Sequence, residues 1–165
     1  MPKGIRPTQD KVRKAIFDIL GNMEGLYFLE LFAGSGAVGI EALSQGAKGA
    51  VFVENNPDCI KILKNNLSYI LPTNYYLLSM DVQKALEQLE KRREKFDIIF
   101  MDPPYHRNMA KKTLQIFSFC AIVAADGIIA VQHFKKDNLP YVTGDLALLK
   151  QATYGDTVLS FYARG

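Results

Sequence analysis

The chain has only two cysteines, Cys59 and Cys120, and two histidines in 165 residues. Both cysteines lie in apolar stretches of helical character and read as reduced core residues, which excludes a disulfide scaffold. So few Cys and His leave no metal-ligand spacing, and no metal is expected. No run of about eighteen apolar residues occurs, so no membrane-spanning helix is expected. Met1-Pro2-Lys3-Gly4-Ile5-Arg6 lacks the apolar core of a secretion signal, which makes the cytoplasm the expected compartment. Charge of one sign is also scarce. The net charge of +3 is too small to mark a nucleic-acid partner by itself.

What is present is ordinary for a soluble globular chain: 48% hydrophobic and 22% charged residues. The length suits one domain over residues 1–165 with a sizeable core, and a monomer is expected. The distribution of charge says more than its total. Met1 to Leu20 carries Lys3, Arg6, Lys11, Arg13 and Lys14 against Asp10 and Asp18, a surplus equal to that of the whole chain. Arg107, Lys111 and Lys112 form a second basic group just beyond Tyr105. Either group could hold phosphates, whereas Lys91-Arg92-Arg93 reads as a solvated helix face.

Read in order, the chain alternates helices and strands. Thr8 is the expected N-cap of a first helix, whose stripe Val12, Ala15, Ile16, Ile19 and Leu20 ends at Gly21. Residues 1–21 are expected to flank the site. Leu26–Phe32 reads as the first strand, followed by Ala33-Gly34-Ser35-Gly36-Ala37-Val38-Gly39, a literal G-x-G-x-x-G opening a helix. A second strand, Ala50–Glu54, ends in an acid twenty residues after Gly34, the spacing of a ribose-binding carboxylate. A helix over Pro57–Tyr69 precedes a third strand, Tyr75–Met80. Asp81 follows that strand, placed either to accept from an adenine amine, with the Val82 N–H donating to the ring, or to cap the helix Gln83–Arg93.

The stretch richest in chemistry is Phe96-Asp97-Ile98-Ile99-Phe100-Met101-Asp102-Pro103-Pro104-Tyr105. Its apolar run suits a strand buried on both faces. Two prolines then stop it, presenting Asp102 at the carboxyl end of the strand. A carboxylate, carbonyls freed by prolines that lack N–H groups, and a Tyr105 ring suit a planar amine on a flat heterocycle. A plain proline-capped turn is the competing reading of the tetrapeptide. A helix over Ala110–Ile122, a strand Gly127–Phe134 carrying His133, and a hairpin joining Leu146–Thr153 to Thr157–Tyr162 through Tyr154-Gly155-Asp156 complete the chain. His133 and Tyr154 are open between pocket lining and a core or turn role. The pattern as a whole predicts an α/β fold with a mostly parallel sheet and helices on both faces.

Glu30 separates two cofactor readings. Four residues before the first glycine, it would repel the pyrophosphate of a nicotinamide dinucleotide but suits the cationic ends of S-adenosylmethionine (SAM). The Asp-Pro-Pro-Tyr segment resembles motif IV of SAM-dependent amino-methyltransferases. Nearly the whole chain is similar to the RsmD-type guanine-N2 methyltransferases of bacterial small-subunit (16S) ribosomal RNA. That resemblance rests on Arg6-Pro7-Thr8 with Val12-Arg13 and Phe17, Leu31–Ala37 with Gly39–Leu43, Val53–Asn56, Asp81, Asp102–Tyr105 and Tyr154-Gly155-Asp156-Thr157.

It implies a Rossmann-like class I methyltransferase fold, a seven-stranded mostly parallel sheet with an antiparallel last strand. It implies that Glu30 and the turn Phe32, Ala33, Gly34, Ser35 and Gly36 hold the methionyl part of SAM, Glu54 the ribose, and Asn55, Asp81 and Val82 the adenine side. Asp102 and Pro103, with Pro104 shaping the turn, would receive the target amine, and Tyr105 would stack on the base. The implied partner is small-subunit ribosomal RNA or the assembling small subunit. Relatives usually begin with an extra basic stretch before Arg-Pro-Thr that is almost missing here, so RNA binding is expected to suffer before SAM binding. Gln132 stands where relatives are expected to carry an acid.

Rival activities are methylation of adenine N6 or cytosine N4 in DNA or another RNA, which the same tetrapeptide serves. Protein-glutamine methylation would more typically show Asn in place of Asp102. An NAD-dependent oxidoreductase and a non-catalytic SAM-binding assembly factor stand further off.

Overall fold

The computed structural model describes residues 7–105, 108–118 and 120–165. Five helices interleave the first five strands: α1 (Pro7–Leu20), β1 (Tyr27–Leu31), α2 (Ala37–Ser44), β2 (Gly49–Glu54), α3 (Pro57–Leu67), β3 (Tyr75–Ser79), α4 (Val82–Lys91), β4 (Phe96–Met101), α5 (Met109–Phe117) and β5 (Val123–Phe134). Three further strands, β6 (Val142–Thr143), β7 (Leu146–Tyr154) and β8 (Thr157–Arg164), close the chain. The sheet order is β3-β2-β1-β4-β5-β8-β7-β6. Strands β1 to β5 pair in parallel, and β8 inserts antiparallel between β5 and β7.

Strands buried on both faces explain the apolar runs of β1, β2 and β4, since helices cover each side of the sheet. Helices α1, α2 and α3 pack on one face through Val12, Ile16, Phe17, Val38, Ala42, Leu63 and Leu67, against Phe28, Phe52 and Phe100 of the sheet. Helices α4 and α5 cover the other through Leu86, Leu89, Leu114 and Phe117, against Leu29, Leu31, Val53, Ile99 and Met101. Successive strand residues thus alternate between two cores.

Several expectations need correction. The sheet has eight strands, not seven, because Gly144-Asp145 folds the short β6 back onto β7. Thr8 lies inside α1 and does not cap it. The helix opens at Pro7, whose fixed φ and missing N–H suit a first helical position. Its cap position, Arg6, falls outside the described residues. The helix expected over Ala110–Ile122 ends at Phe117, and β5 starts at Val123, four residues before Gly127. Between the pairs Phe96–Val123 and Ile98–Ile128 the register shifts, so residues 124–127 of β5 bulge out of the β4 ladder before pairing resumes. The last hairpin is tight: Tyr154 pairs with Thr157 around Gly155-Asp156. Positive φ occurs at Gly155 and not at Asp156, as a type II′ turn requires.

Candidate active site

Strands β1 and β4 are hydrogen-bonded neighbours, with Leu31 level with Met101. The turn that follows β1 and the Asp102 that follows β4 therefore leave the sheet side by side. This is also where the strand order reverses, the position at which open α/β sheets bind ligands. A cavity of about 910 Å³ opens there. Its apolar wall is Phe32, Val53, Met80, Val82 and Ile116, and its polar rim includes Glu54, Asn55, Asp81, Asp102 and Lys112.

The turn is built by backbone conformation and by packing. Phe32 takes a positive φ of 55°, a strained state for a bulky residue, and it presents its ring to the cavity. Gly36 has a φ of 78°, and a Cβ there would fall 2.3 Å from the Leu63 side chain. A Cβ on Gly39 would fall 2.4 Å from the buried Phe52 ring, so this glycine lets α2 sit close on β2. From α3, the Asn66 amide donates to the Ser35 carbonyl at 2.9 Å and fixes the tip of the turn.

Four carboxylates surround this corner, each in a different state. Glu54 takes N–H groups on both oxygens: Gly34 at 2.7 Å on Oε1, and Asn55 and Asn56 at 3.0 Å on Oε2. It thereby joins the glycine turn to the cavity wall. Asp81 caps α4, accepting from the Lys84 N–H at 2.9 Å through Oδ1, and also lines the cavity, so capping and ligand contact are compatible. Glu30, only 3% exposed, stands behind the cavity wall and accepts the Gly39 N–H at 2.8 Å. Burial first, then the neighbouring charges of Asp102 and Glu54, push its carboxyl up to about 8. Burial alone pushes Asp102 up to about 7. Lys112 is the cation among the described lining residues.

Pro103, Pro104 and Tyr105 line the same cavity. Pro103 is buried, whereas Tyr105 is 52% exposed and stacks on Phe134, with centroids 6.0 Å apart and planes at 26°. Of the site residues expected from the sequence, Phe32, Glu54, Asn55, Asp81, Val82, Asp102, Pro103, Pro104 and Tyr105 meet around one cavity. Glu30, Ala33, Gly34, Ser35 and Gly36 lie outside its lining and form its support. Lys3, Arg6 and Arg107 fall outside the described residues.

Cys59, expected in the core, is only partly buried and lines the cavity, and Gln83, Met109, Thr113 and Ile116 stand in the same wall without having been expected there. A signal existed for the last three. Met109, Lys112, Thr113 and Ile116 follow the spacing of one helix face, here the face of α5 turned to the cavity. His133 belongs to the core: it is 2% exposed and its Nε2 lies 2.7 Å from the Ser160 hydroxyl. Tyr154 packs against the α1–α3 side of the sheet.

A parallel sheet ordered 3-2-1-4-5 and closed by an antiparallel hairpin, with its cavity at the switch point, is the class I methyltransferase fold. Residues 1–163 match the family model described as Conserved hypothetical protein 95, and the chain belongs to that family, the RsmD-type family named above. A Bacillus subtilis (strain 168) protein provisionally named rRNA methyltransferase YlbH is 37% identical over 161 residues, covering 96% of this chain and 88% of its own. Ribosomal RNA small subunit methyltransferase D of Escherichia coli (strain K12) is 30% identical over 162 residues, covering 98% and 80%. A solved structure of a conserved hypothetical protein from Streptococcus pyogenes superposes with a TM-score of 0.85 at 30% identity, covering 93% of this chain and 95% of that one.

Proposed function

We propose that this protein transfers a methyl group from SAM to the exocyclic N2 amine of a guanine in small-subunit ribosomal RNA. The observation that carries the reading is that Asp102 and Phe32, the first residue of the β1 turn, leave neighbouring strands side by side and line one cavity, with an exposed aromatic ring beside the acid. The names of the relatives support ribosomal RNA as the substrate.

The residues present fit SAM. Phe32, Val53, Met80, Val82 and Ile116 give a flat adenine an apolar slot, with Asn55 and Asp81 at its polar edge. Glu54 is oriented by three backbone N–H groups and keeps roughly one acceptor position for a ribose hydroxyl. Buried Glu30 and partly buried Asp102, both held above the usual carboxylate range, are relieved by a nearby cation. A pyrophosphate would meet Glu54, Asp81 and Asp102 with Lys112 the one cation among the described lining residues to offset them, which disfavours a nicotinamide dinucleotide. When bound, SAM supplies an electrophilic methyl on a sulfonium.

The chain itself supplies position and charge. An exocyclic amine is a poor nucleophile because its lone pair is delocalised into the ring. The Asp102 carboxylate and the Pro103 carbonyl accept its two hydrogens and favour the localised, pyramidal nitrogen that develops in the transition state. Tyr105 stacks on the base and sets its plane, and positioning supplies much of the remaining acceleration. Asp102 need not keep a proton, because the methylated, cationic amine loses one to water. The base must be extruded or already splayed out to reach the cavity. Residues 1–165 act as one domain, with α1 beside the RNA.

Calorimetry with SAM and with NAD, beside a labelled-methyl assay on small-subunit RNA, tests this on wild type and Asp102→Ala. The expected result is SAM binding by both proteins, none of NAD, and a loss of transfer of about 10²–10³-fold in the variant. Wild-type turnover by Asp102→Ala would refute the assignment.

A further inference from the structure

Tyr105 packs one face of its ring on a neighbour and remains half exposed. Its ring stacks on Phe134 at 6.0 Å, while 52% of the residue stays exposed. The side chains of Gln132 and Thr157 flank it, on the sheet face that carries Phe134. These partners come from two distant stretches that the sheet brings together. Phe134 is paired with Thr157 across β5 and β8, and Gln132 lies two residues back on the same face of β5. The turn before Thr157 is itself anchored to the end of β5. The Lys135 N–H donates to the Asp156 carbonyl at 2.8 Å, and the Lys135 ammonium pairs with the Asp156 carboxylate at 2.8 Å. The Tyr-Gly-Asp-Thr segment thus has a task that no chemical step has yet claimed.

We infer that Gln132, Phe134 and Thr157 are positioning residues that clamp the Tyr105 ring as a one-sided platform, leaving its other face to stack on the target base. A ring stacked on one side and held at its hydroxyl end by these two polar side chains resists turning its edge to the cavity. A base entering beside Asp102 then meets a surface whose tilt is already set, and the entropy of ordering that ring is spent before binding. The inference rests on the methyl-transfer reading for its consequence, but the clamp itself exists in the free protein.

The test joins two readouts on Thr157→Val, Thr157→Ser, Gln132→Leu and Tyr105→Phe. The first is NMR of the free protein carrying tyrosine labelled with ¹³C at Cζ, with the Tyr105 signal identified by its loss in Tyr105→Phe. Thr157→Val and Gln132→Leu are expected to shift that signal, and Thr157→Ser to restore it. A Tyr105 signal unmoved by both overturns the clamp, whatever the activity. The second is methyl transfer at saturating SAM. Thr157→Val is expected to slow it about three- to tenfold with unchanged SAM affinity, and Thr157→Ser to recover it. Tyr105→Phe with Thr157→Val should be no slower than Tyr105→Phe alone, because both remove the same polar contact. Additive losses would overturn the inference. Absence of transfer by wild type with the NMR shifts intact would instead strike the methyltransferase reading and leave the clamp standing.

Discussion

Burial holds the Asp102 carboxyl up at about 7, close to the pH at which it must be ionised to accept a hydrogen from an amine. Methyl transfer should therefore rise with pH and level off above neutrality, with a midpoint at or below about 7, because a bound sulfonium favours the carboxylate. A pH–rate profile at saturating SAM checks this, and a rate falling across that window would contradict it. Glu30 makes the opposite statement about stability. Its folded-state carboxyl is raised to about 8, so between the ordinary carboxylate range and pH 8 the folded chain binds more protons than the unfolded one. Stability present at low pH is lost as pH climbs through that window. Thermal melts should show the cofactor-free wild type losing ground to Glu30→Gln from about pH 5 to about pH 8. Parallel curves for the two proteins would sink the assignment.

At the scale of elements, the join between α2 and β2 is the tightest test of packing. Gly39→Ala drives a methyl to within 2.4 Å of the Phe52 ring, which is enclosed and has little room to move. We expect a cost of about 1–3 kcal/mol, a fall in Tm of roughly 2–12 °C, with weaker SAM binding because the glycine turn shifts with α2. An unchanged melt would show that the helix slides without consequence. The elements also show which parts of the site could be read from sequence. Asp102–Tyr105 and the glycine turn are contiguous, and their chemistry is written in neighbouring residues. The wall formed by α5 is written only as a spacing, Met109 to Ile116, which any helix packed on a sheet would also show. The link from Tyr105 to Thr157 was not legible at all, because only the β5–β8 register makes them neighbours. Glu30 stood out in the sequence only as an acid four residues before the first glycine, suited to a cationic cofactor. Its place behind the cavity wall depends on the side of β1 that α2 covers, which no local pattern states.

Over the whole molecule, the alternation of helices and strands was enough to read a mostly parallel sheet with helices on both faces, but not its strand order, because a right-handed crossover can return to either side of the growing sheet. The eighth strand escaped because two residues carry no periodicity. Strand order places the β1 turn and the end of β4 at one switch point, and the carboxylates there favour a cationic cofactor over an anionic one. Among the described residues, no helix is long and apolar enough to cross a membrane.

The most direct measurement is mass spectrometry of nucleosides from small ribosomal subunits lacking the modification, incubated with the protein and SAM carrying an isotopically labelled methyl. The account predicts the label on the exocyclic amine of guanine, abolished by Asp102→Ala. Label on adenine N6 or cytosine N4 would contradict the assigned base, and no label in any nucleoside would contradict the enzyme.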